Sequence, residues 1–197
     1  MSYMNYIDII DTLTIDDYYR TDSHWRQESL TETAQVLAEE MGTSLTGRYN
    51  ENRLDRPFQG VYSGQWTLPL EADRIVYLTN PIIDQYQVYD YENDRQIPVY
   101  NMEKAEGNDM YETYLSGSLS LITISNPQIN SKKELILFRD SFGSSIAPLL
   151  AQGYSKVTLI DIRYIQPGVL GNYVDFNNAD VLFLYSTMVL NNSETLK

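Results

Sequence analysis

The chain has 197 residues, of which 43% are hydrophobic and 21% charged, the size and composition of one folded domain with a substantial core. Its formal net charge of −13 and isoelectric point near 4.3 work against nucleic acid or an anionic membrane surface as partners. It has no cysteine and a single histidine, His24, which excludes disulfides, thiolate chemistry and a multi-histidine metal site, and leaves His24 as the one possible imidazole base.

The first residues, "MSYMNYIDII", lack the cationic-then-apolar order of a signal peptide, and no apolar run has the length of a membrane span. The expectation is either a cytoplasmic protein or the later part of a longer one. Leu30, Ala34, Leu37 and Met41 share one face of a helix. Ser29 and Glu32 have capping-box spacing, and Gly42 supplies the stop. From Thr43 to Asp73 the text is polar and broken by Gly and Pro, with Tyr62 and Trp66 embedded. It reads as a long loop with one short strand, and loops of that length are usually functional or disordered.

Strand-like text follows in "RIVYLT" (74–79), "YQVYDY" (86–91) and "IPVY" (97–100). The last two flank a turn-like "ENDRQ" and predict a hairpin. "LSLITIS" (119–125) is a further strand after the loop that contains Gly117. The C-terminal third reads strand, helix, strand, helix, strand. Its apolar runs lie at 134–138, 156–161 and 180–186, with a helix to about Gln152 ended by Gly153, and a second helix over "QPGVLGNYVDF". Short connections of this kind predict adjacent parallel strands in one sheet.

In "LILFRDSFGSS", Ser141 stands just past the carboxyl end of such a strand and just before a helix, the edge where ligands bind in open α/β sheets. Backbone N–H groups at the helix start can stabilise an oxyanion there, and Gly143 permits close approach of a substrate. The plain alternative is that Asp140 or Ser141 caps the helix. "TDSHW" has a plain reading as well, with Asp22 as a cap and His24 as a polar surface residue. A metal held by Asp22 and His24 alone is disfavoured, because no second imidazole can join them.

"YYRTDSHW" (18–25) resembles the signature of the DHHW family, bacterial proteins named for an Asp-His-His-Trp motif usually preceded by Tyr-Tyr-Arg-Thr. "LILFRDSFGSSIAPLLAQGYSKVTLIDIRYI" (135–165) resembles that family's second stretch. There an Asp-Ser-aromatic follows a strand, a Pro-x-Leu lies in the next helix and an Asp-x-Arg-Tyr follows the next strand. "LSGSLSLITI" (115–124) and "VLFLYS" (181–186) fit weaker patterns of the same family. The family is similar to the SGNH hydrolases and to alginate O-acetyltransferase-like proteins. The resemblance implies one SGNH-hydrolase-like domain over 1–197, an α/β protein built as a three-layer α/β/α sandwich with a mostly parallel sheet. Carried over by motif, Ser141 is the nucleophile, His24 the base and Asp22 its orienting carboxylate. Arg163, in "DIRYI", matches an arginine that binds substrate or stabilises the oxyanion, and Asp140 and Gly143 are placed with it. The chain departs from the pattern in two ways. Ser23 stands where the family has its first histidine, and little sequence precedes Asp22 where relatives carry a long segment expected to supply strands and site loops.

Two functions follow as expectations. One is an esterase or O-acetyltransferase using a Ser-His-Asp triad, without metal or cofactor, on an acyl ester or acylated cell-surface carbohydrate, with an extracytoplasmic location implied by the family. The other is a non-catalytic binding or structural module, or an inactive fragment, that keeps the fold alone. No nucleic-acid partner and no membrane insertion are expected, and the oligomeric state is left open. The 17 tyrosines and 2 tryptophans suit stacking on sugars, but strand and core packing is the stronger reading of them. The triad also sets a geometric requirement. In an extended strand Asp22 and His24 would stand ~6.6 Å apart, so the chain must turn at Ser23, with Trp25 expected beneath the ring.

Overall fold

A computed structural model of the chain describes residues 4–65, 70–192 and 194; Trp66 lies outside the described residues. The chain opens on short 3-10 turns at Ile10–Thr12, Ile15–Asp17 and Gln27–Ser29. Helix α1 (Thr31–Glu40) follows and buries Ala34 and Leu37, as their spacing predicts. Gly42, at φ +67°, ends it in a conformation that L-residues rarely take. The helix start differs from the capping-box expectation. Leu30 is the N-cap without a side-chain bond, and Ser29 closes the preceding 3-10 turn. Burial of Leu30 fixes that boundary where no cap does.

Within the polar stretch 43–73 lie strand β1 (Asn50–Arg53) and helix α2 (Val61–Gln65). Strand β2 (Val76–Thr79) pairs antiparallel with β1, Asn50 opposite Thr79 and Arg53 opposite Val76. Strands β3 (Gln87–Asp90) and β4 (Arg95–Ile97) form the expected hairpin with Val88 opposite Ile97. The second strand sits earlier than "IPVY" and shares only Ile97 with it. Helix α3 (Met102–Ala105), a 3-10 turn at Met110–Thr113 and strand β5 (Leu121–Ser125) come next. The remainder is β6 (Glu134–Arg139), α4 (Gly143–Leu150), β7 (Lys156–Ile160), β8 (Ala179–Leu184) and α5 (Thr187–Asn191). The "QPGVLGNYVDF" stretch is a 3-10 helix, Pro167–Asn172, rather than an α-helix.

Six strands make the main sheet in the order β4-β3-β5-β7-β6-β8. The three C-terminal runs are adjacent and parallel, β6 pairing with β7 on one side and β8 on the other. The other three pairings, β3 with β4, β3 with β5 and β5 with β7, are antiparallel. The sheet is therefore mixed, which corrects the expectation of a mostly parallel one. The reason is that β3, β4 and β5 enter through a hairpin and irregular connections instead of helical crossovers.

The strand pleat sorts β6 between two cores. Leu135 and Leu137 join Ala34, Leu37, Ile146, Leu149 and Leu150 of α1 and α4 on one face. Ile136 and Phe138 pack on the other face with Leu121, Ile160, Leu170 and Val174. No residue of a described α-helix enters that second cluster, whose cover comes from the Pro167–Asn172 turn and its flanks. At the β8 edge, Val181 and Phe183 are 44% and 49% exposed, so this apolar run is covered on one face only.

Candidate active site

Strand β6 ends at Arg139, and Ser141 stands two residues beyond, at the carboxyl edge of the three parallel strands. The turn that carries it is self-bonded. Phe142 N–H donates to the Asp140 carboxylate at 3.0 Å, Gly143 N–H to the Asp140 carbonyl at 3.1 Å and Ser144 N–H to the Ser141 carbonyl at 3.1 Å. The other Asp140 oxygen accepts the Ser186 N–H at 2.7 Å, which ties the end of β8 to the serine turn. Asp140 is thus committed to backbone groups, and Gly143 serves packing. A Cβ at Gly143 would lie 2.5 Å from the Arg139 Cβ. Both residues are engaged by contacts within the protein. The three following N–H groups are engaged inside the turn, and among the described residues no bond within the turn engages the Ser141 N–H.

His24 arrives from the other end of the sequence. Tyr18 and Trp25 form an antiparallel bridge, and Tyr19 N–H donates to the His24 carbonyl at 3.0 Å. Residues 20–23 are thereby folded into a tight bend. Asp22 turns its carboxylate back on the chain in the manner of an Asx turn. Its Oδ1 accepts the His24 N–H at 3.0 Å and lies 2.5 Å from His24 Nδ1. The opposite ring nitrogen, Nε2, is 2.7 Å from Ser141 Oγ. The turn required at Ser23 is present, and the three side chains converge across 117 residues of sequence.

Several residues hold that bend. Thr21 and Arg20 donate backbone N–H groups to Asp73 at 2.7 and 3.1 Å, and the Thr21 hydroxyl adds a third bond at 2.6 Å. Val61 N–H donates to Asp22 Oδ2 at 3.0 Å. Gly60 makes this approach possible, because a Cβ there would stand 2.3 Å from Asp22 Cβ and Oδ2. Asp22 is buried, at 4% exposure. Burial is the largest influence on it and alone would raise its pKa. The bonds from His24, the attraction of that ring and the Val61 N–H outweigh it and hold the carboxyl below the ordinary value of 3.8.

Trp25 does not lie beneath the imidazole. Its indole N–H donates to the Phe142 carbonyl at 3.0 Å and to Ser145 Oγ at 2.8 Å. The ring beneath His24 belongs to Tyr111, with centroids 3.8 Å apart and planes 14° from parallel. Phe142 packs on the imidazole as well, at 4.9 Å. The Tyr111 hydroxyl reaches Ser145 Oγ at 2.9 Å, and burial pushes its pKa well above the usual range, so it stays a neutral donor.

Arg163 forks onto Asp161, Nε to Oδ1 at 2.9 Å and Nη2 to Oδ2 at 2.6 Å. That bond raises its pKa further, and no contact between its guanidinium and Ser141 is found among the described residues. A second arginine takes part. Arg139, fully buried, lies 3.9 Å from the same Asp161 oxygen and donates to the carbonyls of Gly117 and Leu119 at 3.4 and 3.2 Å. It links the ends of β6 and β7 to the loop ahead of β5. Beside the triad a cavity of about 680 Å³ opens, lined by Leu13, Tyr18, Ser23, Trp25, Phe142 and Leu184 among others. Among the described residues no three His, Cys, Asp or Glu side chains gather as a metal site, and no helix is long and apolar enough to cross a membrane.

The residues that sequence reasoning missed are Tyr111, Gly60, Val61, Asp73 and Arg139. The first is one tyrosine among 17. The Gly60, Val61 and Asp73 contacts are made across a polar loop that carries no motif. The nearest signal was that this loop is too long to be idle.

No protein-family profile matches the chain, and no curated protein matches it. Solved structures do. A DHHW family protein from Eubacterium siraeum superposes with a TM-score of 0.69 at 18% identity, covering 91% of this chain and 62% of that one. Bacillus cereus PatB1 superposes with a TM-score of 0.68 at 21% identity, covering 89% of this chain and 64% of that one. A second PatB1 structure, with a sulfonyl adduct, gives 0.65 at 20% identity. The chain spans less than two thirds of the length of these neighbours, and at such identities the likeness is one of fold. The resemblance read from residues 18–25 and 135–165 is met in three dimensions, and this chain has the fold of a DHHW family protein.

Proposed function

We propose that this protein is a serine-dependent acyltransferase or esterase in which Ser141, His24 and Asp22 act as a triad. One observation carries the reading: an unbroken line of contacts from Asp22 Oδ1 to His24 Nδ1 at 2.5 Å and from His24 Nε2 to Ser141 Oγ at 2.7 Å. Triads are recognised by geometry and role rather than by chain order, and here the acid and base precede the nucleophile.

In the proposed reaction His24 Nε2 accepts the Ser141 hydroxyl proton while Oγ attacks an ester carbonyl. The Ser141 N–H supports the resulting oxyanion. His24, held in its Nδ1–H tautomer by Asp22, returns the proton to the departing alcohol, and an acyl-serine remains. His24 next deprotonates water, which gives hydrolysis, or an acceptor hydroxyl, which gives transfer. Each route ends with the acyl group on the acceptor and the serine proton restored. Proton transfer by such a base contributes about 10²–10⁴ in rate. The substrate we infer from the family resemblance is an acetylated or acetylatable cell-surface carbohydrate, and with it a reaction outside the cytoplasm.

The test is intact-mass detection of a single adduct after treatment with phenylmethanesulfonyl fluoride, alongside hydrolysis of 4-nitrophenyl acetate. Wild type is expected to react in both assays. Ser141→Ala should abolish labelling, and His24→Ala and Asp22→Asn should each slow turnover by orders of magnitude without adding when combined. Turnover that survives His24→Ala unchanged would end the triad reading. The second reading is a non-catalytic module that keeps the same fold. A wild type inert to every ester and to the sulfonyl fluoride would establish that reading in place of catalysis.

A further inference from the structure

The geometry points to Tyr111 as a positioning residue for the His24 base, its ring setting the plane of the imidazole and its hydroxyl fastening that ring to the helix that starts two residues after Ser141. Taken alone, the Asp22 bond would fix one ring nitrogen and leave the imidazole able to swing about it, and Phe142 flanks the ring at a 43° tilt. A parallel ring 3.8 Å away with an interplanar angle of 14° removes the swing through dispersion over the whole face. Tyr111 can do this because it is itself immobile. It is 3% exposed, its N–H is bonded to the Asp109 carboxylate at 3.0 Å, and Tyr19 and Tyr114 pack on its edges.

The hydroxyl end gives the contact its purpose. Ser145 lies four residues after Ser141 on α4 and receives both the Tyr111 hydroxyl at 2.9 Å and the Trp25 indole at 2.8 Å. The loop that carries the base, the turn that carries Tyr111 and the helix behind the nucleophile therefore share one anchor. A rigid anchor of this kind keeps the Nε2–Oγ distance short, and placement errors near 1 Å at such a pair cost about a hundredfold in rate. The stacked π face also favours the imidazolium that forms when His24 takes the serine proton. The charged groups around the stacked pair are Asp22 from the same loop, Asp109 from the Tyr111 turn, and Arg139 with Asp140 from the end of β6. Changing Tyr111 removes none of them.

This inference rests on the acyl-transfer reading, but its test does not. His24 is the only histidine, so its imidazole C–H signals are unique in an NMR spectrum and report the ring stacked on it directly. Wild type, Tyr111→Phe and Tyr111→Leu are compared by the ring-current shift of His24 Hε1 and by the rate of labelling with phenylmethanesulfonyl fluoride. Tyr111→Phe keeps the stack but loses the bond to Ser145, so it should retain the ring-current shift and slow labelling about threefold. Tyr111→Leu should remove the upfield ring-current shift of His24 Hε1 and slow labelling about tenfold. A leucine variant with the wild-type shift and labelling rate overturns the proposal. If that variant does not fold, wild type decides: the His24 Hε1 signal must show an upfield ring-current shift and a nuclear Overhauser contact to the Tyr111 ring, and their absence overturns it. Failure of wild type to label defeats the acyl-transfer reading, and the ring-current comparison still decides the part played by Tyr111.

Discussion

Gly60→Ala should disable the site from a position that no catalytic motif touches. The new Cβ would stand 2.3 Å from both Asp22 Cβ and Oδ2, against about 3.5–4.0 Å for an unstrained contact between heavy atoms. Asp22 is buried and bonded on both oxygens, so it has no room to yield. The loop must move away by about 1 Å or more, and the first bond lost is that from Val61 N–H to Asp22 Oδ2. Overpacking of this sort costs about 1–3 kcal/mol, and a hydrogen bond to a charged group about 1.5–3 kcal/mol. The two overlap, because relieving the clash is what breaks the bond.

The assay pairs a urea midpoint with the rate of sulfonyl fluoride labelling. The expected result is a destabilisation of about 2 kcal/mol and a labelling rate reduced by about 10–100-fold, since Asp22 can no longer hold the His24 ring in register. Gly168→Ala is the control. Its added Cβ meets nothing within 4 Å, so the change should stay within about 0.5 kcal/mol. A Gly60→Ala protein with wild-type urea midpoint and labelling rate would refute the argument that this loop clamps the carboxylate.

Asp22 has a folded pKa below its ordinary value of 3.8, so its ionised form contributes stability above that value and loses the contribution as pH falls through the folded pKa. Urea midpoints measured from neutral pH downward should therefore show wild type and Asp22→Asn converging below pH 3.8, and a gap that widens there would contradict the sign. Gly143→Ala drives a Cβ to 2.5 Å from buried Arg139 and should lower stability by about 1–3 kcal/mol in the same titration. With a net charge of −13, the protein should show no salt-sensitive affinity for DNA or RNA in a fluorescence-anisotropy titration. Micromolar binding that weakens steeply with added salt would count against that expectation.

The elements legible in the sequence are those whose physics is local. The runs 134–138, 156–161 and 180–186 read as strands because parallel strands with both faces covered are continuously apolar. Beta-8 shows the limit of that logic, since Val181 and Phe183 face outward in a run that looks as apolar as β6. Strand sense was not legible for β3 and β5. A half-buried strand has the same period whichever way it runs, and direction is fixed by connections, here an irregular path through α3 and the Met110–Thr113 turn. The bend at Asp22 was legible through the family resemblance, which pairs Asp22 with His24, and with a one-residue spacer that pairing requires the chain to turn. The partner beneath the ring was not legible. Trp25 adjoins His24 in sequence, yet its indole N–H requires an acceptor and turns toward Phe142 and Ser145, which leaves the imidazole face to Tyr111.

That exchange of rings shows where the candidate site keeps its rigidity. The histidine bend has little of its own, being a short loop with one bridge at its mouth. It borrows order from three distant places. Asp73 gathers the N–H groups of Arg20 and Thr21, Val61 closes on Asp22, and Tyr111 covers the imidazole. The nucleophile side is different in kind, a strand–turn–helix unit bonded within itself through Asp140 and packed on Arg139. A change on the strand side therefore acts mainly on stability, because it opens the core under β6. A change in the borrowed contacts acts on the Nε2–Oγ distance as well as on stability, because Tyr111 also belongs to a buried cluster with Tyr19, Phe58, Ile75, Met110 and Tyr114. Gly143→Ala is therefore weighted toward the urea midpoint, whereas Tyr111→Leu should move the urea midpoint and the labelling rate together.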